Sequence, residues 1–149
     1  MRIEEEIKQV KPFKSPHQKA AVNLMYTHGW LLEHMRNFFL PFGITVKQFN
    51  ILRILNGAGQ PISTSTIRER LIDKMSDTTR IINRMIDKEL VEKKECKSDK
   101  RLVDITISSK GKKVLKQVDS KSADLDKMLK HLSSKESKQL NDLLDKMRG

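Results

Sequence analysis

One cysteine, Cys96, is all that this 149-residue chain contains, so an internal disulfide framework and a single-chain thiolate metal cluster are both excluded. That usage fits a reducing compartment. No run approaches the roughly 18 consecutive apolar residues of a membrane span. The start, "MRIEEEIKQV", is acidic and lacks an apolar segment, so it does not read as a signal peptide. A cytoplasmic chain without membrane association is expected. There is also no Gly-rich phosphate loop and no nucleophile with an identifiable base. The four histidines, His17, His28, His34 and His131, include no i, i+4 pair that would suit a metal. These absences point away from an enzyme, and neither a cofactor nor a metal is expected.

Acids are the minority charge. Lys and Arg number 30 against 19 Asp and Glu, a formal balance of +11, which makes a polyanion such as nucleic acid the first partner to consider. The excess is spread evenly along the chain, so any binding face has to be assembled by folding.

The apolar pattern divides the chain into helices. Ile3, Ile7 and Val10 recur at helical spacing in a short leader punctuated by Pro12 and Pro16. A long helix is predicted from about His17, where Leu24, Leu31, Met35 and Phe38 form a stripe broadened by Met25, Leu32 and Phe39, until Pro41 and Gly43 end it. Thr45 is a suitable N-cap for a helix burying Val46, Phe49, Leu52 and Leu55, closed by Gly57 and Gly59. Ser63 caps a short helix with Ile67 and Leu71. The next helix is predicted over 76–88, with Ser76 as its cap, Asp77 at the positive end of its dipole, and Ile81, Ile82, Met85 and Ile86 facing inward. The period then becomes strand-like: "VEKKEC" is expected to pair across "KSDKR" with a strand carrying Val103, Ile105 and Ile107. Ser108 should cap a long helix through Val114, Val118, Leu125, Met128 and Leu132. A Ser133/Glu136 capping box should start the last one, with Leu140, Leu143, Leu144 and Met147 on one face.

The helix at 76–88 is the informative element. Its outward positions, Ser76, Thr79, Arg80, Asn83, Arg84 and Asp87, carry hydrogen-bonding or cationic groups instead of the Glu/Lys mixture of a solvated surface. Arginine can bridge guanine O6 and N7, and asparagine adenine N6 and N7. Ser63, Thr64 and Ser65, at the start of the preceding helix, suit phosphate contacts. Three capped helices followed by a basic two-stranded hairpin is the order of a winged helix-turn-helix, in which the second helix of the motif enters the major groove. The expected fold is therefore mainly α with a small β-hairpin wing. Residues 43–108 would form the DNA-binding domain, flanked by an N-terminal leader and helix over 1–42 and by C-terminal helices over 109–149.

From "FGITVKQFNILRIL" through "STSTIRERL" and "SDTTRIINRMIDKELVEKKE" to "SDKRLVDITISSKGKKVL", about residues 43 to 115, the sequence resembles the multiple antibiotic resistance regulator (MarR) family of bacterial transcription factors. The most specific element is the wing signature: an acid, any residue, an arginine, then an apolar strand and a Ser/Thr-x-x-Gly helix start. Asp99, Lys100, Arg101 and Ser108 through Gly111 match it. The resemblance implies a homodimer with interlocked terminal helices, recognition helices in successive major grooves of a pseudo-palindromic operator, Arg101 in the minor groove, and most often a repressor. Asp99 would orient Arg101, while Lys97 and Lys100 reach phosphates. The sequence departs from the family at Glu89, where glycine is common.

Two other features have competing readings. Tyr26, Trp30, His34 and Phe38 recur at four-residue steps, as dimer core or as the lining of a pocket for the small aromatic or phenolic effectors that relatives bind. Cys96 reads as a half-buried strand residue in preference to a redox sensor. Alternatives to a ligand-released regulator are an architectural DNA binder without effector and a helical protein-interaction module.

Overall fold

The computed structural model describes residues 1–95 and 103–149. In chain order the helices and strands are α1 (Ile3–Glu6), α2 (Pro16–Phe39), α3 (Val46–Ala58), β1 (Ile62–Ser63), α4 (Thr64–Arg70), α5 (Thr78–Asp87), β2 (Val91–Glu95), β3 (Val103–Ile107), α6 (Ser109–Asp119), α7 (Ser122–Asp126) and α8 (Ser134–Arg148). Short 3-10 turns at Leu40–Phe42 and Lys127–Leu129 follow α2 and α7.

Local chemistry explains most boundaries. Pro16 occupies the first turn of α2, where its missing N–H costs nothing, and Ser15 accepts from the Gln18 N–H, so the helix starts one residue before the predicted His17. Thr45 and Gln48 form a reciprocal capping box on α3, and Ser133 and Glu136 form another on α8. Ser63 caps α4 and Ser108 caps α6. Gly43 and Gly59 close their helices in the left-handed conformation, which glycine adopts without a Cβ penalty.

Four expectations are corrected. In the leader only Ile3–Glu6 is helical. Ile3 is buried, whereas Val10 lies beyond the helix and is exposed. The helix predicted over 76–88 starts at Thr78 with Asp77, not Ser76, as its cap. The single long helix expected from Ser108 to Leu132 breaks after Asp119, where the Ser120 hydroxyl donates to the Gln117 carbonyl at 2.7 Å and competes with helical bonding. Finally, the sheet has three strands in the order β1-β3-β2, all antiparallel. Ile62 pairs with Ile105 and Val91 with Ile107. The two residues of β1 are too few to show a period.

The core forms where α3 meets α2, α4, α5, α6 and β3. Phe39, Ile51, Leu52, Leu55, Ile67, Met85, Val91 and Val118 are its fully buried members. The last of these comes from α6, which also buries Gly111 and Leu115. The terminal helices differ sharply: α2 buries only Phe39 and α8 buries nothing. Leu24, Met25, Leu32, Leu140, Leu143 and Met147 remain exposed on them. No single described helix is long and apolar enough to cross a membrane.

Candidate nucleic-acid interface

Helix α5 separates two chemistries by its period. Thr78, Ile82 and Met85 are buried, with Ile81 and Ile86 half-buried beside the core, while Thr79, Arg80, Asn83 and Arg84 are all exposed. The inner row anchors the helix and leaves the outer row free to meet a partner. Among the described residues neither Arg80 nor Arg84 enters an ion pair. Asp77 caps the helix by accepting the Arg80 N–H at 3.0 Å.

Ser76 belongs to a different device. Its side chain is buried, and its hydroxyl donates to Asp73 Oδ2 at 2.7 Å, so it is not part of the exposed row in which the sequence pattern placed it. Asp73 stands in the turn between α4 and α5. Its Oδ1 accepts the Met75 N–H at 3.1 Å, an Asx-type turn, and its Oδ2 also accepts from Lys47 Nζ at 2.8 Å. The Lys47 ammonium, then the Ser76 hydroxyl and the Met75 N–H, hold the Asp73 carboxyl down at about 2. One residue earlier the Ile72 N–H donates to Asn50 Oδ1 at 3.2 Å. Lys47 and Asn50 lie one turn apart on α3, so the turn of the helix-turn-helix is tied to that helix at two points. Sequence reading missed Asp73, Lys47 and Asn50. The available signal was an Asp followed three residues later by Ser, just before a helix.

At the start of α4, Ser63 and Thr64 are half-buried and Ser65 is exposed. The Ser63 oxygen accepts the Thr66 N–H at 3.2 Å and contacts the hydroxyls of Ser65 and Thr66 at 2.8 and 3.0 Å. Its first task is to cap the helix. Ser65 is the hydroxyl of the three that faces outward.

The corner between α5 and β2 is bound to α6. Glu89 has φ +59, the left-handed region in which glycine is favoured, so the departure noted in the sequence falls on a backbone position that suits glycine. Ser108 donates its hydroxyl to the Glu89 carbonyl at 2.7 Å and its N–H to the Leu90 carbonyl at 3.2 Å. The same hydroxyl accepts the Gly111 N–H at 3.0 Å, and Lys110 pairs with the Glu89 carboxylate at 3.0 Å. A Cβ at Gly111 would sit 2.3 Å from the Leu90 oxygen. The Ser-x-x-Gly element is therefore a hydrogen-bonding serine and a close-approach glycine serving one junction.

The wing strands β2 and β3 pair as expected, from Val91 opposite Ile107 to Glu95 opposite Val103. Cys96, Lys97, Asp99, Lys100 and Arg101 lie outside the described residues.

The four aromatic-row positions on α2 do not share one surroundings. Tyr26 and Trp30 border a shallow cavity of about 210 Å³ together with Ile3, Glu6 and Asn23. Tyr26 donates to Glu6 Oε2 at 2.9 Å, and that bond raises its hydroxyl above the ordinary tyrosine value. His34 packs against Trp30 with ring centroids 4.3 Å apart and the planes tilted by 40°. Phe38 instead packs against Phe39 and Phe42 at the edge of the core. Among the described residues no three His, Cys, Asp or Glu side chains cluster as metal ligands.

Three helices around a buried core, a sheet-borne hairpin, and a polar row on the second helix of the helix-turn-helix define the winged helix-turn-helix class of DNA-binding folds. Within that class, residues 44–103 match the MarR family model. Solved structures extend the likeness over most of the chain. A cysteine-to-serine variant of Escherichia coli MarR, complexed with operator DNA, is 25% identical, with a TM-score of 0.77 over 84% of this chain and 91% of that one. A MarR-like transcription regulator from Bacillus cereus is 23% identical, with a TM-score of 0.78 over 89% and 95%. The organohalide-sensing regulator RdhR, in a form bound to 2,4-dichlorophenol, is 19% identical with a TM-score of 0.82 over 94% and 86%. No curated protein sequence matches the chain.

Proposed function

We propose that the protein is a sequence-specific, double-stranded DNA-binding regulator that acts in the cytoplasm as a homodimer on a pseudo-palindromic operator. The observation that carries this reading is the exposed row Thr79, Arg80, Asn83 and Arg84 on a helix whose opposite face is buried in the core. Arg80, Asn83 and Arg84 have the donors and acceptors that base edges require. Ser65, with Ser63 and Thr64 beside it, would meet phosphate. Lys97, Lys100 and Arg101 of the wing, with Asp99 orienting the arginine, would add the minor-groove and backbone contacts that the family resemblance implies. The family member from E. coli is bound to operator DNA.

Residues 43–108 would read DNA, and the flanking segments would dimerise. Support comes from the apolar side chains that α2 and α8 leave uncovered, Leu24, Met25 and Leu32 on one and Leu140, Leu143 and Met147 on the other. A second copy would cover them and set the spacing of the two recognition helices. Repression is the sign of regulation that the resemblance favours, with release by a small aromatic or phenolic effector. The cavity beside Tyr26 and Trp30, with His34 packed on Trp30, would offer an aromatic surface for it, and 2,4-dichlorophenol is the ligand of the RdhR form. A ligand releases DNA only by favouring one dimer geometry over another.

Selection of duplexes from a random pool, followed by footprinting of the enriched sequence, tests the reading. The expected result is a two-fold-related site protected in half-sites about one helical turn apart. Enrichment of no sequence, or binding by a monomer alone, would refute it. Dissociation on addition of substituted phenols tests the effector.

A further inference from the structure

We propose that Asp73, though it is an acid beside a DNA-reading surface, is the residue that positions the recognition helix, holding the turn before α5 to α3. The proposal rests on the DNA-binding reading above. Both Asp73 oxygens are used: Oδ1 folds the turn onto the Met75 N–H, and Oδ2 receives the Ser76 hydroxyl and the Lys47 ammonium. With the Ile72 N–H on Asn50, two bonds from one face of α3 fix residues 72 to 76. Helix α3 is in turn immobilised by Ile51, Leu52 and Leu55, all buried. Helix α5 begins two residues after Ser76, so the clamp sets where its first turn emerges.

Thr79, Arg80, Asn83 and Arg84 can form base contacts only with hydrogen-bond distances near 3 Å and nearly linear donors. A small displacement of the helix start would spoil them while leaving general attraction to phosphate intact. A carboxylate near a polyanion is itself unfavourable for non-specific binding. Positioning and electrostatics therefore act in opposite directions at this one residue, which makes the role separable by experiment.

The probe is the duplex that the wild-type protein enriches most from a random pool, compared with a scrambled duplex of the same composition. In Asp73→Asn the affinity for the enriched duplex should fall by about tenfold, the cost of one misread base pair, while affinity for the scrambled duplex stays the same or rises. Ser76→Ala removes a bond to Asp73 from a buried side chain and should lower the ratio in the same direction. Combining Lys47→Met with Asp73→Asn should lower it no further than Asp73→Asn alone. An equal fall for both duplexes, which loss of folded protein would produce, overturns the proposal, as does an unchanged ratio in the two single variants. Failure of the wild-type protein to enrich any duplex overturns the DNA-binding reading itself, and does so before a variant is made.

Discussion

Replacing Gly111 by alanine tests how closely α6 is fitted to the sheet and to α3. An added Cβ would meet the Leu90 carbonyl oxygen at 2.3 Å, Ile107 Cγ1 at 2.9 Å and Leu52 Cδ2 at 3.1 Å. The side-chain atoms could yield, but the carbonyl belongs to backbone just before β2 and already accepts the Ser108 N–H. Relief requires α6 to move outward by about 1 Å, which strains a buried contact at a cost of ~1–3 kcal/mol. It also loosens the Ser108 hydrogen bonds, at another ~1–2 kcal/mol. Alanine's helix preference over glycine returns up to about 1 kcal/mol. The net expectation is a loss of about 2–4 kcal/mol, or a Tm lowered by about 6–12 °C for a chain of this size. Thermal unfolding followed by circular dichroism measures it, at one protein concentration because association shifts Tm. Gly57→Ala is the control: Gly57 is exposed in α3, nothing lies within 4 Å of its Cβ position, and the substitution should raise stability by about 0.5–1 kcal/mol. A Gly111→Ala protein that melts at or above the wild type would show that the α6 junction has slack and refute the close-approach account.

Other perturbations have equally definite outcomes. Glu89→Gly should stabilise by about 0.5–1 kcal/mol in denaturant titration, because relief of the left-handed strain exceeds the added chain entropy and the exposed Lys110 pair; a lower midpoint would contradict it. Arg84→Ala should reduce discrimination between the enriched and scrambled duplexes by about 1–3 kcal/mol in binding titrations, and unchanged discrimination would remove the base-reading role. Leu143→Glu places a charge on the apolar face of α8 and should shift the protein to a monomer in sedimentation velocity with helicity retained; an unaltered dimer would place the interface elsewhere. Asp73 has its carboxyl lowered from 3.8 to about 2, so its clamp stabilises the fold fully above the unfolded value and loses that contribution as pH falls toward 2. The stability gap between wild type and Asp73→Asn should accordingly be present at pH 6 and narrow toward pH 3, and a gap that widened on acidification would invert the sign.

Much of the architecture could be read from short-range patterns. Thr45 with Gln48, and Ser133 with Glu136, announce helix starts because both halves of each capping box lie within four residues. The outer row of α5, Ser76 apart, follows equally directly from Ile81, Ile82, Met85 and Ile86 on its inner face. What the sequence concealed is decided between distant segments. Ser76 and Asp77 are both competent caps, and the choice between them is made by Asp73 and Lys47, which draw the serine hydroxyl inward. Helix α6 ends at Asp119, whose carboxylate pairs with Arg53 of α3, with no glycine or proline to mark the break. The aromatic row on α2 has a uniform spacing, yet its members divide because the leader reaches Tyr26 through Glu6 while the core reaches Phe38.

The junction at Ser108 also has a mechanical meaning. One hydroxyl is bonded to the start of α6 and to the Glu89 carbonyl, the adjoining N–H holds the Leu90 carbonyl, and the first turn of α6 lies against that carbonyl without room for a methyl group. Such a joint ties three elements together through short contacts. The end of α5, the root of β2 and the first turn of α6 are thus joined as one unit, in which a tilt of α6 would have to be shared by the other two.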